Sequence, residues 1–143
     1  MCDPQRLWIA LVVAMAITTG CQPFSPVYSP AAERELTLLK GRTLRLMALA
    51  EEPFADQTKA VARLRGDLGS ARDRAAARPR NGLTLRQWNE LMATDGHLLG
   101  GFLFRWETDT TLAAGFIIEA RLLVERAMEV MIEHEKAKVG GAS

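Results

Sequence analysis

The chain has 143 residues, of which 48% are hydrophobic and 24% charged, and its formal net charge is +1. That length holds one domain with a genuine core, and this composition excludes global disorder. Near-neutrality excludes the strong basic excess of a nucleic-acid binder, so no nucleic acid is expected among the partners.

The chain opens on "MCDPQR", short and polar, followed by eleven consecutive apolar residues, Leu7 to Ile17. A transmembrane helix needs about 20 such residues, so the run is too short to span a bilayer and has the length of a signal-peptide core. Thr18, Thr19 and Gly20 follow, then Cys21. This stretch resembles the lipobox of bacterial lipoproteins, in which a small residue precedes a lipidated cysteine; the resemblance covers residues 1–21 and says nothing of the remainder. It implies cleavage between Gly20 and Cys21, a diacylglycerol on the Cys21 sulfur and acylation of the new amine. Thr18 stands where that family most often has Leu. Gln22 is not the Asp that signals inner-membrane retention, so the resemblance implies an outer-membrane anchor facing the periplasm. The alternative is an uncleaved apolar N-terminus on a soluble or inner-membrane protein.

Cleavage would leave one cysteine, since Cys2 lies in the leader; an intramolecular disulfide and a multi-cysteine zinc site are then both impossible. Beyond the anchor, "QPFSPVYSP" carries Pro23, Pro26 and Pro30. Prolines at this density favour extended polyproline II, and the segment reads as a tether.

From Ser29 onward the pattern is helical. Ser29 before Pro30 predicts an N-cap with proline at the first helical position, and Leu36, Leu39, Leu46 and Met47 share one face of a helix ending near Ala50. Pro53 starts a second helix, with Phe54, Val61, Leu64, Leu68, Ala71 and Ala75 as a narrow seam. Gly66 and Gly69 lie within it, each costing up to about 1 kcal/mol unless a close helix approach uses them. "RPRNG", Arg78 to Gly82, is a break. Thr84 and Gln87 form a capping-box pattern for a third helix carrying Leu85, Trp88, Leu91 and Met92, interrupted by "TDG" at Thr94 to Gly96. Asp109 is the predicted N-cap of the longest helix, Thr110 to about Lys138. Its apolar residues Phe116, Ile117, Ala120, Leu123, Val124, Ala127, Met128 and Met131 cover more than half its circumference, which predicts a central place in a bundle.

These readings define an all-α fold: a small helical bundle of three long helices plus a short helix with a glycine-rich extension. The expected organisation is a lipoprotein signal peptide over 1–20, lipidated Cys21 with a Pro-rich tether over 21–30, the bundle over 31–139 and a flexible tail over 140–143.

Charge is unevenly spread: eight basic residues from Lys59 to Arg86 face Asp67 and Asp73, and nine acidic residues from Gln87 to Glu135 face three arginines. Arg63, Arg65, Arg72, Arg74, Arg78 and Arg80 form a candidate basic surface for anionic head groups or an acidic partner; the alternative is a solvated face. The run "HLLGGFLFRW" is the second candidate. Leu98, Leu99, Phe102, Phe104 and Trp106 form either an exposed interaction patch or a plug at one end of the bundle.

Catalytic signals are weak. No serine lies in a Gly-x-Ser-x-Gly elbow, and no glycine loop has the Lys-Ser/Thr ending that holds phosphate. Neither histidine follows a Glu by three residues, as a di-iron bundle needs, so no metal and no cofactor beyond the Cys21 lipid is expected. His134 is expected in an exposed last turn, complementing the helix dipole, and Glu119 at a rim near Arg126. The expectation is a non-enzymatic lipoprotein acting through protein contacts, with an envelope protein as partner. The alternative is a carrier of a small apolar ligand between the helices.

Overall fold

The structure is a computed structural model that describes residues 26–138. The expected signal peptide, the Gly20–Cys21 cleavage site, lipidated Cys21 and the 140–143 tail lie outside the described residues. Within them the chain forms five helices and no strand, packed into a small bundle.

Helix α1, Pro30–Met47, starts where the capping signal places it: the Ser29 hydroxyl accepts from Ala32 N–H at 3.2 Å, with Pro30 in the first turn. It buries Leu36, Leu39, Leu46 and Met47, and also Thr43. The chain then tightens, with Leu49 N–H donating to Leu46 and Ala50 N–H to Met47, so the last three residues of the predicted helix form turns. Helix α2, Phe54–Ala77, follows Pro53 and buries Val61, Leu64, Leu68, Ala71 and Ala75. Gly66 and Gly69 serve no close approach, because a Cβ at either would meet nothing within 4 Å.

Helix α3, Gly82–Met92, begins two residues before the capping-box threonine. The capping box does not form: Asn81 holds the N-cap position without a side-chain cap bond, and Thr84 faces inward. The predicted glycine-rich extension is a separate helix, α4, Leu99–Asp109. Asp109 ends α4 and does not cap the last helix. Thr110 reverses the chain at φ 69°, and α5 runs over Ala114–Ala137 behind Ala113. Tertiary hydrogen bonds settle this boundary: Thr110 C=O accepts from Phe54 N–H and Leu112 N–H donates to Ala50 C=O, both at 2.8 Å.

The elements make an up-down-up-down bundle of four legs. α1 and α2 are the first two, α3 and α4 together the third, and α5 the fourth; α1 packs on α2 and α5, while α3 and α4 both pack on those same two neighbours. The break in the third leg is built on glycine. A Cβ at Gly100 would overlap the carbonyls of Met92 and Ala93, and one at Gly101 the carbonyl of Gly96.

At the end reached by α4, the sequence's apolar run is a plug. Trp106 is fully buried, meets Phe54 edge-on at 5.5 Å between ring centroids, and donates its indole N–H to Glu52 C=O at 3.0 Å. Phe102 stacks on Phe116 at 6.0 Å, and the Arg105 guanidinium covers the Phe116 ring at 4.4 Å. An aromatic cluster of this kind contributes beyond its buried area through ring geometry, and its one polar N–H is satisfied.

Candidate functional site

The fold buries most of the apolar surface candidate and pairs most of the basic one. Of the proposed apolar patch, Leu99, Phe102 and Trp106 are buried and Leu98 is half-buried; Phe104 alone is exposed. No exposed patch forms there, because the glycine turn folds that face onto α2 and α5. Four of the six candidate basic residues are drawn into ion pairs. Arg65 pairs with Glu107 at 3.1 Å, Arg72 with Asp73 at 3.3 Å, Arg74 with Glu35, and Arg78 with Glu135 at 2.6 Å, while Arg63 is exposed. Arg80 turns the chain at φ 58°, the left-handed geometry that costs a non-glycine residue about 1–2 kcal/mol. Two carboxylates of the acidic block, Glu107 and Glu135, are brought by interhelical packing to Arg65 and Arg78.

What the fold assembles instead is a buried polar cluster at the end where the described chain enters the bundle. The Glu135 carboxylate is fully buried. One oxygen accepts from the backbone N–H of Ser29 at 3.0 Å and from Arg78 at 2.6 Å; the other accepts from Arg78 at 3.2 Å and from Lys138 at 2.5 Å. Lys138 Nζ also donates to Asn81 Oδ1 at 2.6 Å and to Thr84 Oγ1 at 2.9 Å, so all three of its donors are used. Asn81 in turn donates to the Ala75 carbonyl at 2.8 Å. The beginning of α1, the end of α2, the beginning of α3 and the end of α5 are thereby joined through one network.

The electrostatics follow from burial and pairing. Burial would push the Glu135 carboxyl up, but hydrogen bonds from Arg78 and Lys138 outweigh it and hold the group below its ordinary value. Burial lowers Lys138, with Arg78 adding to that effect and Glu135 opposing it. His134 is lowered by burial first and by the Lys138 charge second. It therefore favours the neutral form, in contrast to the dipole-complementing imidazole expected from the sequence, because burial and then the Lys138 charge both oppose a proton there.

Beside the cluster lies an open groove of about 510 Å³ between α1, α2 and α3, lined by Ser29, Leu36, Ala71, Ala75 and Trp88, with Arg74 and Arg78 at its polar side. At the far end a smaller groove of about 330 Å³ holds His97, Arg105 and Glu119 around Phe102 and Phe116. Glu119 is exposed on this rim and makes no ion pair with Arg126. Among the described residues no three His, Cys, Asp or Glu side chains converge as a metal site would require. None of the described helices is long and apolar enough to cross a membrane.

The sequence reading overlooked Glu135 as a structural group. Its signal was present: Glu135 stands three and four residues beyond Ile132 and Met131, on the same buried stripe as Met128. A carboxylate in that register must be paired.

By its architecture the described chain is an antiparallel helical bundle with a broken third leg. Compared with known protein families, curated proteins and solved structures, it matches none.

Proposed function

We propose that this protein is a non-enzymatic bacterial lipoprotein, held by lipid on Cys21 at the periplasmic face of the outer membrane, whose helical bundle works through protein contacts as an accessory subunit of an envelope assembly. The observation that carries the reading is the lipobox-like Gly20–Cys21 junction after an apolar run too short to span. Two or three acyl chains give stable attachment, at about 0.8 kcal/mol per buried methylene.

The build of the bundle agrees with a tethered role. The chain arrives through Pro26 and Pro30, and its first helical turn is fastened by the Ser29 cap and by the Ser29 N–H to Glu135 bond. Force or motion on the tether is thereby passed to α5 and α2 together, and does not peel α1 alone.

Metabolic labelling with a fatty acid tests the anchor. Cys21→Ala abolishes labelling and releases the protein from the membrane fraction; undiminished labelling of that variant overturns the proposal. Affinity purification of the anchored form, with identification of co-purifying envelope proteins, tests the contact role. The groove beside Trp88 supports a second reading, a binder of a small apolar ligand. Stabilisation of the protein by lipid extract, abolished by filling that groove with Ala71→Phe, favours this second reading over the scaffold role.

A further inference from the structure

Four large aliphatic side chains on α5 face away from the core and stay more than half exposed: Ile118 at 58%, Leu122 at 62%, Leu123 at 55% and Val130 at 53%. Scattered apolar residues on a surface are ordinary, but Leu122, Leu123 and Val130 lie within about 50° of one line along the helix, with Ile118 at its edge, and form a patch. The charges among them are ordered. With 100° per residue, Glu119 and Arg126 lie within roughly 10° of the midline of that face, and Leu122 and Leu123 flank it by about 50° on either side. Both Glu119 and Arg126 are exposed, and neither makes an ion pair among the described residues.

The midpoint between Leu122 and Leu123 is also the midpoint between Glu119 and Arg126, and the midpoint between Gly115 and Val130. A surface with that property is complementary to itself under a two-fold rotation. We propose that the outer face of α5 binds a second copy of this chain, the two helices pairing antiparallel about the Leu122–Leu123 midpoint. In that arrangement Glu119 of each copy faces Arg126 of the other. Leu122 packs on Leu122 and Leu123 on Leu123 across the axis, and Val130 comes down over Gly115, where the space beside the backbone is open. The overlap runs over residues 114–131 of both helices, about 27 Å.

The helix ends agree with this polarity. α5 has no side-chain N-cap and no acidic residue in its first turn, so nothing in its own first turn compensates its positive end. Antiparallel pairing brings Glu129 of one copy, which its own Lys40 also contacts, to the first turn of the other, where the helix dipole favours negative charge. Parallel pairing would set Glu119 against Glu119 and Arg126 against Arg126. A bilayer is the weaker occupant of the same face, since Glu119, Glu129 and Glu133 would enter anionic head groups along with the leucines. The pairing is independent of the anchor on Cys21.

The test uses the full chain with Cys2→Ser and Cys21→Ser, purified in a mild detergent. Sedimentation velocity should show a dimer, and Leu122→Cys should cross-link to itself under mild oxidation while Leu38→Cys, exposed on α1, does not. Glu119→Arg should raise the dimer dissociation constant about tenfold or more, and Glu119→Arg with Arg126→Glu should restore it to within about threefold. Far-UV circular dichroism confirms that each variant is folded. A monomer up to about 100 µM together with no Leu122→Cys cross-link overturns the proposal, at a concentration where interfaces of standard size associate. So does a dimer that the charge swap does not rescue, or a Leu122→Asp change that abolishes binding to phosphatidylglycerol vesicles without altering association.

Discussion

Glu135→Gln keeps the shape of the side chain and removes the one negative charge that faces Arg78 and Lys138. The Lys138 side chain is 2% exposed and that of Glu135 1%, so water cannot replace the lost partner without opening the end of the bundle. Breaking a buried pair on one side costs about 3–5 kcal/mol, because the remaining charge is left uncompensated. Lys138 keeps Asn81 and Thr84 as acceptors, and the Arg78 side chain is 23% exposed, which places the loss near the lower bound, about 3 kcal/mol. For a domain of this size, at about 4 °C per kcal/mol, Tm falls by roughly 12 °C. Urea unfolding followed by the fluorescence of Trp88 and Trp106 and by circular dichroism measures the change, and coincidence of the two probes supports a two-state analysis. A double-mutant cycle with Lys138→Met should give a coupling of about 1.5 kcal/mol or more. A loss below about 1 kcal/mol for Glu135→Gln, or strict additivity in the cycle, would refute the view that this network holds the end of the bundle.

Other perturbations test other parts of the structure. Gly66→Ala and Gly69→Ala add a methyl group into open space within α2, and each should stabilise by about 0.5–1 kcal/mol in urea titrations. Gly100→Ala drives a Cβ into the Met92 and Ala93 carbonyls, so it should destabilise by about 3 kcal/mol or more and expose Trp106 to quenchers. Thr43 is fully buried and its hydroxyl has no hydrogen-bond partner among the described residues; Thr43→Val should stabilise by about 1 kcal/mol, measured as a raised urea midpoint. His134 is held below its usual 6.5, so the unfolded chain binds that proton more tightly, and the associated stability is full above 6.5 and falls as pH drops through it. Glu135, held below its usual 4.5, adds a second loss below that pH. Urea midpoints for His134→Gln should lose the first decline and keep the second.

Much of this fold is legible in local sequence because local rules act strongly where tertiary contacts agree with them. The Ser29–Pro30 cap, the break at Pro53 and the seam Val61, Leu64, Leu68, Ala71, Ala75 are each dictated by a few neighbouring residues, and each stands in the structure as predicted. Where local signals had competitors, they lost. Thr84 and Gln87 match a capping box, but the Thr84 hydroxyl is taken by Lys138, 54 residues away. Asp109 is a good cap residue, yet the Phe54 to Thr110 and Leu112 to Ala50 hydrogen bonds place the reversal after it.

The candidate sites show the same division. Composition marked "HLLGGFLFRW" as apolar but could not orient it; Gly100 and Gly101, packed against the carbonyls of the preceding turn, decide that its large side chains face inward. Hydrophobic periodicity gave α5 a broad apolar arc. It could not tell that Leu123 would lie outside the packed stripe while Ile132 lay within it.

The sequence by itself determined that this chain is helical and where α1 and α2 begin, and it holds the lipobox resemblance on which the proposed anchor rests. These follow from backbone preferences and short-range patterns. Only the tertiary structure decided which charges meet. Arg65 and Arg74 of α2 find carboxylates on α4 and α1, and Arg78, just past the end of α2, joins the Glu135–Lys138 pair 57 residues away, because helix packing brings together segments that no sequence spacing relates.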